Sequence, residues 1–262
     1  MEVFIAGLLD GIATWFRHLN ETRHLNFTIF YDAWDAKKYL AGIGITIKLT
    51  VLTIVCSLAI GILGGATQYL AGPGLKRAIG AYIELFRNTP VLSELYFFYF
   101  GVGTLLATGA GLSPEMRDNF GGFFWAAVTL SLHAGAYNIE IVRAGLEAVP
   151  SSTIEAARAL GYTPAQSMRH VILPIGLRVS IPSLSNSLVQ LVKGTAVAYA
   201  VAVPEVLYVA NSIWSDNFNV LEMMNVVLVT YLVLVGIVVW LTHLSARSVR
   251  CVSHTTMPTS AR

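Results

Sequence analysis

Charge is what this chain has least of. Only 12% of its 262 residues are Asp, Glu, Lys or Arg, about half the roughly 25% usual in a soluble domain. So little polar surface cannot solvate a globular fold of this length. With 55% hydrophobic residues and a mean hydropathy of +0.64, the outer solvent is lipid. The net charge of +2 gives no basic surface for nucleic acid. Cysteine is nearly absent too: Cys56 lies in an apolar run and Cys251 in a polar tail, which argues against a disulfide between them. His133 has no second His or Cys at ligand spacing, so it reads as a buried hydrogen-bonding residue, and no metal or cofactor is expected. No glycine-rich phosphate loop with a following Lys-Ser/Thr occurs, which argues against ATP hydrolysis by this chain. Val3 to Leu9 is too short for a signal-peptide core, and internal repeats are lacking.

Long apolar runs are abundant. A membrane-spanning helix needs about 20 mostly apolar residues, and five stretches qualify: Leu49 to Thr67 (extending back to Ile43), Leu95 to Leu112, Phe120 to Ile139, Val179 to Val203 and Met223 to Thr242. Ahead of them Ile5, Leu8, Leu9, Ile12 and Phe16 recur at helical spacing, the pattern of an amphipathic interfacial helix; a loosely ordered arm is the other reading. The resulting division is an N-terminal segment at 1–40, a transmembrane domain at 41–246 and a tail at 247–262.

Basic residues alternate between connections. Lys76, Arg77 and Arg87 lie between the first two spans, Arg143, Arg158, Arg169 and Arg178 between the third and fourth, and Arg247 and Arg250 after the fifth. The segment after the second span has Arg117 alone, and the one after the fourth carries only Glu205, Asp216 and Glu222. The positive-inside rule then places the C-terminus in the cytoplasm and, with five spans, the N-terminus outside. Arg17, Arg23, Lys37 and Lys38 before the first span run against that orientation.

The connection from Val149 to Leu177 carries helix punctuation. Ser152 with Glu155 has capping-box spacing, and the helix through Ala156, Ala157 and Leu160 should stop at Gly161. Thr163-Pro164 with Gln166 predicts a second helix ending before Pro174. Two helices this short need something to pack against. With Ala156 and Ala157 exposed, they would lie in a groove of another protein or rest on the lipid surface.

Glu155-Ala156-Ala157, Gly161 and Ile172-Leu173-Pro174 resemble the EAA loop of binding-protein-dependent ABC importer permeases. Glu84-Leu85-Phe86-Arg87-Asn88-Thr89-Pro90 and Ala136-Tyr137-Asn138-Ile139-Glu140-Ile141-Val142-Arg143-Ala144-Gly145 are similar to two further segments of the polar amino acid branch, in the right order. The chain departs from that branch at Thr153-Ile154, Ile175-Gly176 and Gly194-Thr195-Ala196. The resemblance implies an all-α membrane protein of about five helices with the type I importer permease fold. It also implies location in the bacterial inner membrane and a coupling loop at about 150–175, with Glu155, Ala156, Ala157, Leu160, Gly161 and Pro174 against separate ATPase subunits. A second permease, identical or different, and a periplasmic amino-acid-binding protein would complete the complex.

Ionisable and amide groups at membrane depth are costly and usually face a cavity. An amino acid needs hydrogen-bond donors and acceptors together, which Glu140 with Asn138, and Lys193 with Gln190 and Asn186, provide; Glu84 and Arg87 stand at the entrance to the second span. The structural readings are that Glu140 pairs with Arg143 three residues on, that Arg87 caps carbonyls, and that Lys193 snorkels. A stand-alone secondary transporter or channel is the alternative function, though it leaves the capped cytoplasmic helices unexplained.

Overall fold

The computed structural model describes residues 2–109 and 120–250, with side chains placed for 10–106 and 120–242. Among these residues there are helices and no strand. Helix α1 (Glu2–Arg23) is followed by a short turn, and Phe16 stacks on Phe30 with centroids 4.2 Å apart. The side chains of Ile5, Leu8 and Leu9, on which the amphipathic expectation rests, lie outside the described residues. Helix α2 (Ala33–Leu70) starts where the Asp32 carboxylate accepts from the backbone N–H groups of Trp34 (2.8 Å) and Asp35 (3.1 Å). Its 38 residues rise about 57 Å, well beyond a hydrocarbon core of roughly 30 Å.

The stretch from Lys76 to Arg87, expected as a loop, is instead an amphipathic helix, α3 (Pro73–Asn88), which buries Ile83 and Phe86 and exposes Glu84 and Leu85. Pro73 sits at its first turn, where a missing N–H costs nothing. The second span then begins at Val91, not Leu95: α4 (Val91–Tyr96) runs through a π-helical turn into α5 (Gly103–Gly109). Glu94, a charge that the apolar-run reading left outside, is therefore inside the span and buried. The expected end of that span at Leu112 and the following connection, with Arg117, lie outside the described residues.

Helix α6 (Gly122–Glu147) is the centre of the molecule, packed by α2, α3, α4 and the later helices. Close approach requires glycine. A Cβ on Gly61 of α2 would stand 2.5 Å from the Cβ of Asn138, and one on Gly65 2.8 Å from Val142 Cγ1. Gly135 meets Ile60 in the same way, so Gly61, Gly65 and Gly135 form one seam.

After α7 (Ser151–Ala159) and α8 (Pro164–Ser167) the chain does not break before Pro174. A π-helical turn (Met168–Ile172) leads directly into α9 (Leu173–Gly194), with Pro174 in its first turn. The proline ring would clash with the carbonyl of residue 170 in a regular α-turn, and a wider turn relieves that clash. The fourth span thus starts well before Val179. A 3₁₀ segment (Thr195–Val201) ends it.

The connection after it, expected as a plain acidic loop, forms a further helix, α10 (Val206–Asn217). Glu205 is fully buried and caps it, accepting from the N–H groups of Leu207 and Tyr208 (both 2.9 Å) and from the Tyr231 hydroxyl (3.0 Å). Helix α11 (Val220–Arg250) closes the bundle; the tail beyond it lies outside the described residues.

Three of these helical segments, Ala33–Leu70, Pro164–Val201 and Val220–Thr242, are long and apolar enough to cross a membrane, and Val91–Leu106 is a shorter apolar segment. The 26-residue α6, diluted by His133 and Asn138, is enclosed by the others. Along α11 Leu221, Leu228, Leu232 and Trp240 are exposed. Water would not tolerate such a face, but acyl chains do, and the chain is a multi-pass membrane protein.

Candidate functional site

Two places in this bundle combine exposed or cavity-facing groups with precise local geometry. The first is the joint between α7 and α8. The Tyr162 N–H donates to the Ala157 carbonyl (3.1 Å) and the Gly161 N–H to that of Arg158 (2.9 Å), with Gly161 at φ +84°. This is a Schellman closure, which requires a residue in the left-handed region. Across the joint, Thr163 and Gln166 form the expected box: the Thr163 N–H donates to Gln166 Oε1 (2.9 Å), and the Gln166 N–H to Thr163 Oγ1 (3.3 Å). The other expected box, Ser152 with Glu155, is not formed. Pro150 takes the cap position, and its neighbour Ser151 already opens the helix, which puts Ser152 inside the first turn.

Ala157 also departs from expectation. It is buried rather than exposed, because α7 turns that face toward α8 and the π turn, where Met168 and Ile172 pack on Val142, Leu146 and Val149. Glu155, Ala156 and Leu160 stay exposed, Leu160 at 79%. The loop is therefore anchored by one face and presents the other.

The second place is a cavity of about 460 Å³ between α6 and α9. Helix α6 supplies His133, Ala134, Tyr137 and Ile141, at helical spacing; α9 supplies Ser183, Asn186, Ser187 and Gln190 on the facing stripe. Asn186 and Gln190 are thus brought together. Asn138 is fully buried beside the cavity, its Oδ1 accepting from the Ser187 hydroxyl (2.7 Å), while its amide nitrogen has no partner among the described residues. Lys193, in the last turn of α9, and Glu84, on α3, are exposed and stand outside this lining.

Glu140 does not pair with Arg143. It binds Arg87 across from α3, and Arg143 binds Glu147 on its own helix (2.8 Å). The Arg87 guanidinium also lies over the Tyr137 ring, 5.4 Å from its centroid. Glu140 reaches a smaller cavity with Ser180 and Ser183, so the pair sits at one end of the α6–α9 space. Glu140→Gln breaks this ion pair and should leave the protein able to assemble. Failure to assemble, rescued by Arg87→Met, would assign the pair to the scaffold instead.

Two polar residues in this region escaped the apolar-run reading as site candidates. Glu94 accepts from or donates to His133 Nδ1 at 2.9 Å, and Tyr137 lines the cavity. The available signal was a carboxylate three residues into an otherwise apolar helix. A larger cavity of about 540 Å³, lined by Leu52, Cys56, Phe123, Phe124 and Val128 among others, is apolar and carries no charged group.

Comparison with known proteins agrees with this fold. Residues 57–250 match the family described as "Binding-protein-dependent transport system inner membrane component". The probable glutamine ABC transporter permease protein GlnM of Bacillus subtilis is 30% identical over 80% of this chain and 91% of its own length. The probable amino-acid ABC transporter permease protein PatM of Vibrio harveyi is 32% identical over 78% of this chain and 86% of its own. Among solved structures, an amino acid ABC transporter crystallised with histidines superposes with a TM-score of 0.69 at 28% identity, covering 81% of this chain and 94% of that one. The inward-facing MetNI methionine ABC transporter gives 0.67 at 25% identity, covering 83% and 97%. The relatives are named as ABC transporter permeases, which supports a transport component over an enzyme, and a component of an ABC transporter over the stand-alone carrier. The chain belongs to the family of binding-protein-dependent transport system inner membrane components.

Proposed function

We propose that this chain is the permease subunit of an amino acid importer, working with a second permease, two ATPase subunits and a periplasmic amino-acid-binding protein. The observation that carries the reading is the joint at Gly161. A Schellman closure and a capping box hold two short helices at a fixed angle, leaving Glu155, Ala156 and Leu160 uncovered. Such rigidity suits a part that transmits motion from an ATPase. Pro174 follows the π turn by which that motion reaches α9, and α9 carries Asn186 and Gln190 on the cavity wall.

Substrate would pass along the α6–α9 face. Asn186, Gln190, Ser183 and Tyr137 supply the donors and acceptors that a zwitterion requires, and Asn138 holds Ser187 in register. The Arg87–Glu140 pair stands at one end of this path. Lys193 and Glu84, both exposed, would contribute in contact with a second permease subunit. The basic connections favour a cytoplasmic loop at 150–175, a cytoplasmic C-terminus and a periplasmic N-terminus.

Orientation is tested in a Cys56→Ala, Cys251→Ser background by adding single cysteines at exposed positions. With intact cells, Phe218→Cys should react with an impermeant maleimide and Thr163→Cys should not, until the cells are opened. The reverse pattern would invert the topology and remove the loop from any cytoplasmic ATPase.

A further inference from the structure

Two of the three buried glutamates among the described residues, Glu205 and Glu94, are treated very differently by their surroundings. Glu205 has both carboxylate oxygens occupied, by two backbone N–H groups and the Tyr231 hydroxyl, as a structural carboxylate should. Glu94 is also buried, at 6% exposure. Its Oε2 lies 2.9 Å from His133 Nδ1, but its Oε1 has no partner among the described residues. A half-satisfied carboxyl inside an apolar span is costly to keep.

Its position gives the reason. Glu94 lines a second cavity of about 360 Å³, walled by Phe86, Phe97 and Phe98 with Thr89 and Ser93. His133, its partner, lines the 460 Å³ cavity that holds Asn186 and Gln190. The Glu94–His133 pair therefore forms the partition between an aromatic cavity and an amide- and hydroxyl-lined one. Aromatic faces and a carboxylate together are the chemistry that recognises an organic cation. The amides and hydroxyls beyond suit the α-amino and α-carboxyl groups of an amino acid.

Resting on the importer reading above, we propose that the Glu94 cavity is a subsite for a positively charged side chain. It would make Glu94 the residue that selects cationic amino acids, with His133 as its positioning residue. In the neutral ring, a proton on Nδ1 donated to Oε2 fixes the carboxylate and leaves Oε1 for the ligand. The nearby Arg87 charge is matched by Glu140, so Glu94 provides the charge on this wall that a cation would answer.

The test is equilibrium binding of radiolabelled L-arginine to the purified assembled transporter, competed with L-glutamine or L-glutamate. Wild type should prefer arginine to glutamine by about ten-fold or more and to glutamate by more still, a difference of about 1.4 kcal/mol per factor of ten. Glu94→Gln should weaken arginine at least ten-fold and change glutamine less than three-fold. His133→Gln should give an intermediate loss, since the carboxylate stays but loses its fixed orientation. Arginine and glutamine bound alike in wild type, or arginine unaffected by Glu94→Gln, would overturn the assignment while leaving amino acid import intact. No amino acid bound by the wild-type transporter would overturn the import reading and this inference with it. Should Glu94→Gln fail to assemble, the wild-type preference decides: arginine ahead of glutamine supports the subsite, and its absence overturns it.

Discussion

Gly161→Val should leave membrane insertion and the amount of folded permease unchanged and abolish recovery of the ATPase with it. The residue sits at φ +84°, and an added Cβ would meet no atom within 4 Å, so the penalty is purely one of backbone conformation. That penalty is about 1–2 kcal/mol for a residue with a side chain, and a β-branched residue suffers most. The left-handed turn is held by two hydrogen bonds across five residues, from Tyr162 to Ala157 and from Gly161 to Arg158. Losing it frees α7 to swing relative to α8, and Leu160 and Ala156 no longer form one surface. The membrane spans make no use of this joint. Gly161→Asn, which tolerates the left-handed region, should retain most of the docking. ATPase recovery on detergent pull-down, set beside expression, reads both variants; normal recovery and transport with Gly161→Val would remove the coupling role from this loop.

Gly145→Val should fail at an earlier stage. A Cβ there would stand 2.0 Å from Ser180 Oγ and 2.5 Å from the Gly176 carbonyl oxygen on α9. The hydroxyl could rotate away, but a backbone carbonyl cannot, and it is also the acceptor for that hydroxyl (2.9 Å). Gly176 is equally tight from its own side, since its Cβ would lie 2.9 Å from Leu146 Cα. The helices would have to separate where α6 leads into the 150–175 loop. Overpacking of this kind costs about 1–3 kcal/mol even where side chains can adjust, and more where backbone must move. Much less monodisperse protein after detergent extraction, and a lower melting temperature for what remains, is the expected result. Gly236→Ala, which meets no atom within 4 Å, should behave as wild type. If both variants melt alike, α6 and α9 do not pack through Gly145.

How far the sequence foretold this structure differs from element to element. The apolar runs marked the spans because lipid demands them wherever they fall, and Thr163-Pro164 with Gln166 marked a helix start because a capping box is local chemistry. Pro174 misled for the same reason in reverse. Proline breaks an isolated helix, but here the π turn that accommodates it is stabilised by Met168 and Ile172 packing on α6, contacts that no local pattern contains. Glu94 was left out of its span because its charge ended the apolar run, although burial against His133 is what places it inside. Spacing on one helix suggested Glu140 with Arg143. The partner chosen, Arg87, is 53 residues away in sequence, and only the packing of α3 on α6 brings it near. Ala157 and Ala156 are chemically alike, so which of them faces α8 depended on a helix start two residues earlier than the Ser152 pattern implied.

Import is tested most directly in proteoliposomes holding the permease with its ATPase subunits and binding protein, with ATP on the loop side. Radiolabelled amino acid should accumulate against its gradient only when ATP and the binding protein are both present, and Gly161→Val should abolish accumulation without changing the amount of permease in the vesicle. Uptake that proceeds without ATP or the binding protein, or that survives Gly161→Val undiminished, would contradict a coupled importer and return the chain to the class of stand-alone carriers.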